Sequence, residues 1–170
     1  MKKYLNNTII GKYIKKRLFY PLLKFLKQGI TPKRLALTVV FGFCLGIIPV
    51  IGTTTILCTI ASIGLRLNFP SIQLVNWFFY PLQLIFFVPF FKLGELIFNA
   101  PHVPLSVIEI IKMAKNNWWG VVQDLWYANI FAVLVWVIVC IPIGLLIYYS
   151  SFPVFKKYAA RYTDMDNNIK

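Results

Sequence analysis

Three long apolar runs, each fenced by charge, set the pattern of this chain. Residues 35–65 hold no Lys, Arg, Asp, Glu or His and lie between Lys33-Arg34 and Arg66; residues 67–91 and 125–155 are uncharged in the same way. A helix that crosses a hydrocarbon core of about 30 Å needs about 20 apolar residues. The first run is too long for one straight crossing, and Pro49-Val50-Ile51-Gly52 followed by Thr53-Thr54-Thr55 interrupts its middle. Proline removes a backbone donor and clashes with the preceding turn, while glycine frees the backbone. As a helix, Leu35 to Ile48 would be about 21 Å long, short of the full core. The pattern therefore predicts a helical hairpin whose irregular tip lies inside a membrane or just short of its far face. One tilted crossing over 35–65 is the competing reading.

Spacing supports the hairpin. Thr38, Gly42 and Gly46 fall four apart on one face of the first half, and Thr54, Cys58 and Ser62 fall four apart on the second. Small residues at that interval let backbones approach closely in lipid, so these six are the expected packing positions and the two stripes are expected to meet. The second run should begin as a helix at Pro70 and break again around Asn76 to Pro81 and at Pro89. Gln73, Asn76 and Gln83 lie at membrane depth, where each needs a partner. Residues 92–124 read as an interfacial connection, opened by the capping-box spacing Ser106 to Glu109 and ending near the Trp118-Trp119 pair, which suits a headgroup belt. The third run is the cleanest spanning candidate, with aromatic residues at both ends and a bend expected at Pro142 and Gly144.

Upstream, Ile9, Ile10, Tyr13, Ile14, Leu18, Leu22, Phe25 and Leu26 follow helical spacing with lysines between them, as in a helix lying on a membrane surface. Pro21 should kink it and Gly29 end it, after which Thr31-Pro32 opens the next helix as N-cap and first helical residue. The fold class is then an all-α integral membrane protein: a broken, re-entrant helical hairpin plus two spanning helices, with amphipathic interfacial helices. Residues 1–30 would be a basic surface arm, 31–150 the membrane domain and 151–170 a basic, polar cytoplasmic tail.

Charge orients that arrangement. The net charge is +13, from 18 basic and 5 acidic residues, and ten of the basic residues precede residue 35. Four more, Lys156, Lys157, Arg161 and Lys170, follow the last apolar run, while residues 92–124 are balanced. Basic excess marks the cytoplasmic side, so both termini are expected there; three full spans would instead put the carboxyl terminus outside. Clustered cations also suit nucleic acid, yet 59% hydrophobic content and a mean hydropathy of +0.70 favour anionic lipid headgroups as their partner, with no nucleic acid. The three cysteines are isolated in apolar runs, without disulfide or metal-ligand spacing, and the first long apolar run starts too late for a cleavable leader.

At this point the residues resemble a family. Gly42, Gly46, Pro49 and Gly52 in the order GxxxGxxPxxG, then Arg66-Leu67-Asn68-Phe69-Pro70, Asn76 before Tyr80-Pro81, and Lys92-Leu93-Gly94 resemble the bacterial membrane family catalogued as domain of unknown function 2062, over roughly residues 30–150. In that family the second element more often reads Asn-Pro, whereas here Tyr80 precedes Pro81. The resemblance implies an integral protein of the bacterial cytoplasmic (inner) membrane without an assigned activity. Some members are joined to glycosyltransferases of the polyprenyl-phosphate sugar type, which points toward envelope lipids or glycans.

Catalytic chemistry is sparse. His102 is the sole histidine, no second ligand is spaced to share a metal with it, and no nucleophile motif or phosphate loop is present. No catalytic residues, metal or cofactor are expected. Three readings follow. A carrier or scramblase-like protein for an anionic lipid or lipid-linked intermediate would use Pro49, Gly52, Thr53, Thr54 and Thr55 as a break whose free amides and hydroxyls meet a headgroup, with Arg66, Asn76, Lys92 and Glu95 as further candidates. A non-catalytic scaffold would position a partner such as a glycosyltransferase, or assemble with copies of itself. An intramembrane enzyme lacks its groups. Against all three stands the plain alternative that Pro49 and Gly52 only make a turn.

Overall fold

The computed structural model describes residues 30–98 and 107–167, with residues 17, 21 and 22 besides. The amphipathic arm expected over residues 8–28 falls almost wholly outside them, as do His102 and Ser106. From residue 30 on, the described residues form four helices: α1 (Pro32–Gly46), α2 (Thr54–Gly64), α3 (Phe69–Phe98) and α4 (Val107–Asn167).

Local chemistry explains most of the boundaries. Thr31 is extended, its hydroxyl oxygen accepts the Arg34 N–H at 3.4 Å, and Pro32 opens α1, as the sequence predicts. At the end of α2, Arg66 takes a left-handed conformation (φ 51°), its N–H reaches the Ile63 carbonyl at 3.2 Å, and the Leu67 N–H reaches that of Ser62 at 2.8 Å. That pair of bonds is a Schellman motif with arginine where glycine is usual. The Asn68 side chain then accepts from the Ser71 N–H at 3.0 Å and opens α3.

Two boundaries differ from the expectation. Residues 67–91 are not broken: α3 passes through both Pro81 and Pro89 as one helix. Both prolines are exposed, and no glycine follows either one within a turn, so nothing turns the chain where the backbone bond is lost. The connection and the third run likewise form one helix, α4, kinked at Asn117 (φ −152°, ψ 83°) rather than near residue 124. The Asn117 side-chain oxygen accepts the Gly120 N–H at 3.0 Å, an N-cap inside an apparently continuous helix. Past residue 150 the helix continues without a break, and Phe155 is buried against Leu22, Leu35, Ala36 and Val75.

Among the described residues, two segments are long and apolar enough to cross a membrane, Phe69–Phe98 and Asn117–Ala160. Only 22% of the most apolar window in each is buried within the molecule, so most of their apolar surface faces outward. By contrast α1 and α2 would be about 22 and 16 Å long. The helices α1, α3 and α4 pack mutually, and α2 rests on α3 and α1. Contacts fix the directions. Gly42 lies against Ile72 and Val75, and Gly46 against Asn76, so α1 runs parallel to α3. Gly144 lies against Val40 and Cys44, and Leu35 clusters with Phe155, so α4 runs antiparallel to α1.

The small-residue stripes serve a different contact from the one expected. A Cβ on Gly42 would sit 2.6 Å from that of Val75, and one on Gly46 would sit 3.2 Å from the Asn76 side-chain oxygen. The first stripe therefore admits α3, not α2. On α2, Cys58 clusters with Leu67 and Ile72, while Leu37, Phe41 and Leu45 of α1 pack on the same cluster. Thr38, Thr54 and Ser62 are buried as well.

Candidate functional site

A helix that stops inside an apolar body leaves carbonyls without donors, and in lipid no water compensates them. Here α1 stops at Gly46, and side chains from two other helices supply the donors. The Trp136 indole N–H donates to the Cys44 carbonyl at 2.9 Å. The Gln83 amide donates to the Ile48 carbonyl at 2.8 Å and to that of Val50 at 3.4 Å. The Thr53 hydroxyl donates to the same Val50 carbonyl at 3.0 Å, which brings Gln83 beside the start of α2. The Cys44 carbonyl also receives the Ile47 N–H at 3.4 Å and that of Val50 the Thr53 N–H at 3.5 Å, so it is the Ile48 carbonyl that loss of Gln83 would leave unpaired, at a cost of about 1–3 kcal/mol.

A second chain of bonds ties α3 to α2. The Gln73 amide donates to the Thr55 carbonyl at 3.4 Å, and the Asn76 amide donates to the Gln73 side-chain oxygen at 3.2 Å. Gln73, Asn76 and Gln83 thus form a buried polar line on α3 that touches the end of α1, the break at Ile48 and Val50, and the first turn of α2. Two oxygens on this line, Asn76 Oδ1 and Gln83 Oε1, are buried and accept no hydrogen bond from the described residues. Buried acceptors of this kind have a capacity that only a donor can fill.

The expected site residues divide into two sets. Pro49 is fully buried under the break, Gly52 is exposed with φ +89°, Thr54 is buried, and Thr53 and Thr55 contribute through the bonds above. Asn76 is fully buried against Gly46. These six gather at one place. Arg66 stands just past the opposite end of α2, about 18 Å from Thr54 along the helix axis. Lys92 and Glu95 lie in the last turns of α3, with Lys92 about 14 Å beyond Gln83. The structure does not bring the three ionisable candidates to the break.

Trp136 escaped sequence reasoning, and Gln83 was legible only as a polar residue in need of a partner. A signal did exist. An indole N–H in an apolar run must find an acceptor, and the carbonyls of an interrupted helix are the surplus acceptors nearby. The first turn of α2 adds the opposite polarity, since the N–H groups of Thr54, Thr55 and Ile56 have no acceptor within the helix and face its positive end.

Searches of curated proteins and of solved structures returned no match to the chain. The model of one protein family matches residues 15–163, a wider span than the motif residues alone suggested. By that match the chain belongs to the family described as "Uncharacterized protein conserved in bacteria (DUF2062)".

Proposed function

We propose that this chain is an integral protein of the bacterial cytoplasmic membrane, and that its broken α1–α2 hairpin receives the headgroup of an anionic lipid or lipid-linked intermediate and eases its passage between leaflets. The buried amide line on α3 carries this reading. A body with apolar faces turned outward gains nothing by burying Gln73, Asn76 and Gln83 unless their polarity is used. Part of it holds the break open, and the rest, Asn76 Oδ1 and Gln83 Oε1, is left to accept from something else. The start of α2 offers donors suited to a phosphate, and the two amide oxygens suit hydroxyl donors. A phosphate ester carrying glycerol or sugar hydroxyls matches both.

Lengths and charge support one placement in a bilayer. The hairpin enters and returns from the side of Lys33 and Arg34, α3 crosses outward, α4 crosses back, and both termini lie in the cytoplasm. The contacts of Leu37, Phe41 and Leu45 with the Cys58 cluster support the return of α2 beside α1.

The test is movement of fluorescent phosphatidylglycerol between leaflets of liposomes containing the purified protein. Transfer should run several-fold faster than in protein-free liposomes, and Gly52→Leu should remove the gain. Nothing lies within 4 Å of a Cβ added at Gly52, so the variant's cost is backbone strain at φ +89°, and its folding is checked by thermal unfolding. Transfer at the protein-free rate would overturn the reading.

A further inference from the structure

A second concavity runs from the break along the outside of α1 and α4. It is a groove of about 560 Å³ between α1 and α4, lined by Val40, Cys44, Trp136, Ile141, Gly144 and Tyr148 among others. Its floor exists because Gly144 has no side chain: a Cβ there would approach the Val40 side chain to 3.2 Å and the Cys44 sulfur to 3.6 Å. Along α4 the lining runs from Trp136 to Tyr149, about 20 Å of helix. One leaflet is about half of a 30 Å core, so the groove is long enough for one hydrocarbon chain over a leaflet's depth.

The two ends differ in chemistry. The inner end is closed where Trp136 bonds to the Cys44 carbonyl, in the last turn of α1. At the outer end stand Tyr148 and Tyr149, and about 5–12 Å further along the two helices stand four exposed cations. Lys33 and Arg34 open α1, and Lys156 and Lys157 follow Phe155 on α4. The antiparallel contact of Leu35 with Phe155 brings the two cationic pairs to the same end of the molecule. Glu95 and Asp124 belong to the opposite end, where Gly94 meets Phe131 and Ala132.

We propose that the α1–α4 groove is a binding site for one chain of an anionic membrane lipid, whose phosphate is held by Lys33, Arg34, Lys156 and Lys157. An apolar slot in a bilayer admits any lipid chain, so it is the charge at its mouth that chooses. Each cation near a membrane surface favours an anionic headgroup, and four together select it strongly over a zwitterionic one. The site rests on the bilayer placement proposed above, and it deepens that reading: it is where a lipid waits, with its chain directed toward the break.

The full chain in phosphatidylcholine nanodiscs, doped with a trace of lipid bearing a photoreactive chain, tests this. With phosphatidylglycerol as the probe, labelling should fall on residues 37–45 and 136–149 at about five times the level seen with the phosphatidylcholine probe. Ile141→Trp and Leu145→Trp fill the groove from exposed positions and should cut that labelling about fivefold. Leu146→Trp, on the neighbouring face, should not. Changing all four cations to Gln should lower phosphatidylglycerol labelling to the phosphatidylcholine level. Equal labelling by the two probes, equal labelling of the outward face of α3 around Leu84 and Ile85, or equal loss in Leu146→Trp would each overturn the proposal. Labelling is read without any transfer between leaflets, so the groove can stand if the carrier reading falls, and the reverse.

Discussion

Prolines interrupt apolar runs in two regions of this chain, with opposite outcomes. Around Pro49 the helix stops and the chain is irregular from Ile47 to Thr53, whereas α3 passes through Pro81 and Pro89 as one helix. In both regions a proline takes away one backbone donor and disfavours the helical conformation of the residue before it. What differs is what surrounds the loss. Pro49 is buried, Gly52 follows it with φ +89°, and Gln83 and Trp136 take up the released carbonyls. Pro81 and Pro89 are exposed, without a glycine to turn the chain. A proline marks where a helix can break; the partners decide whether it does.

The largest effect should come from taking away such a partner. Gln83→Leu leaves the Ile48 carbonyl without its donor while Thr53 still serves Val50. A loss of about 2 kcal/mol is expected, read by denaturant unfolding in detergent micelles, with faster maleimide labelling of a cysteine placed at Thr54. Unchanged stability together with an unchanged labelling rate would mean that the amide line does not hold the break. Next in size is Gly52→Ala. No atom lies within 4 Å of the added carbon, so the cost is backbone strain alone, about 1 kcal/mol. Gly64→Ala is the matched control: it also meets nothing, but it lies in the last turn of α2 without a positive φ. It should be neutral or stabilising. If both variants lose stability alike, the left-handed turn at Gly52 is not what defines the break.

How much of this was legible beforehand follows the same division. Local signals read true: Thr31-Pro32 opens α1, and the Pro49–Gly52 element ends it. Apolar length picked out the segments around α3 and α4 because it depends on composition alone. What failed were inferences about partners. Gly42 and Gly46 were legible as a close-approach surface, but four-residue spacing is blind to which helix arrives, and the answer was α3. Asn117 was read as part of a surface connection because its capping role depends on a local oxygen meeting the Gly120 N–H. At the candidate site, the break itself could be read, but its anchoring by Trp136 could not. That contact joins residues 92 apart in sequence, with no motif between them.

The smallest expected effect is also the sharpest, because it depends on sign. Pro81→Ala returns an N–H to a helix that already runs through this position, so the Trp77 carbonyl regains its donor. The gain should be under about 1 kcal/mol, since neighbouring backbone adjustments already soften the loss in a membrane helix. Pro49→Ala should go the other way. It removes a buried ring, and it frees Ile48 to enter the helical conformation that proline disfavours. If α1 extends through Ile48, the carbonyls that Gln83 holds turn back into the helix, and the amide loses the acceptors that justify its burial. Paired unfolding measurements on the two variants in the same micelles decide the matter. Opposite signs would show that the chain uses one proline to make a break and merely tolerates the other, and equal signs would remove the distinction between the two regions.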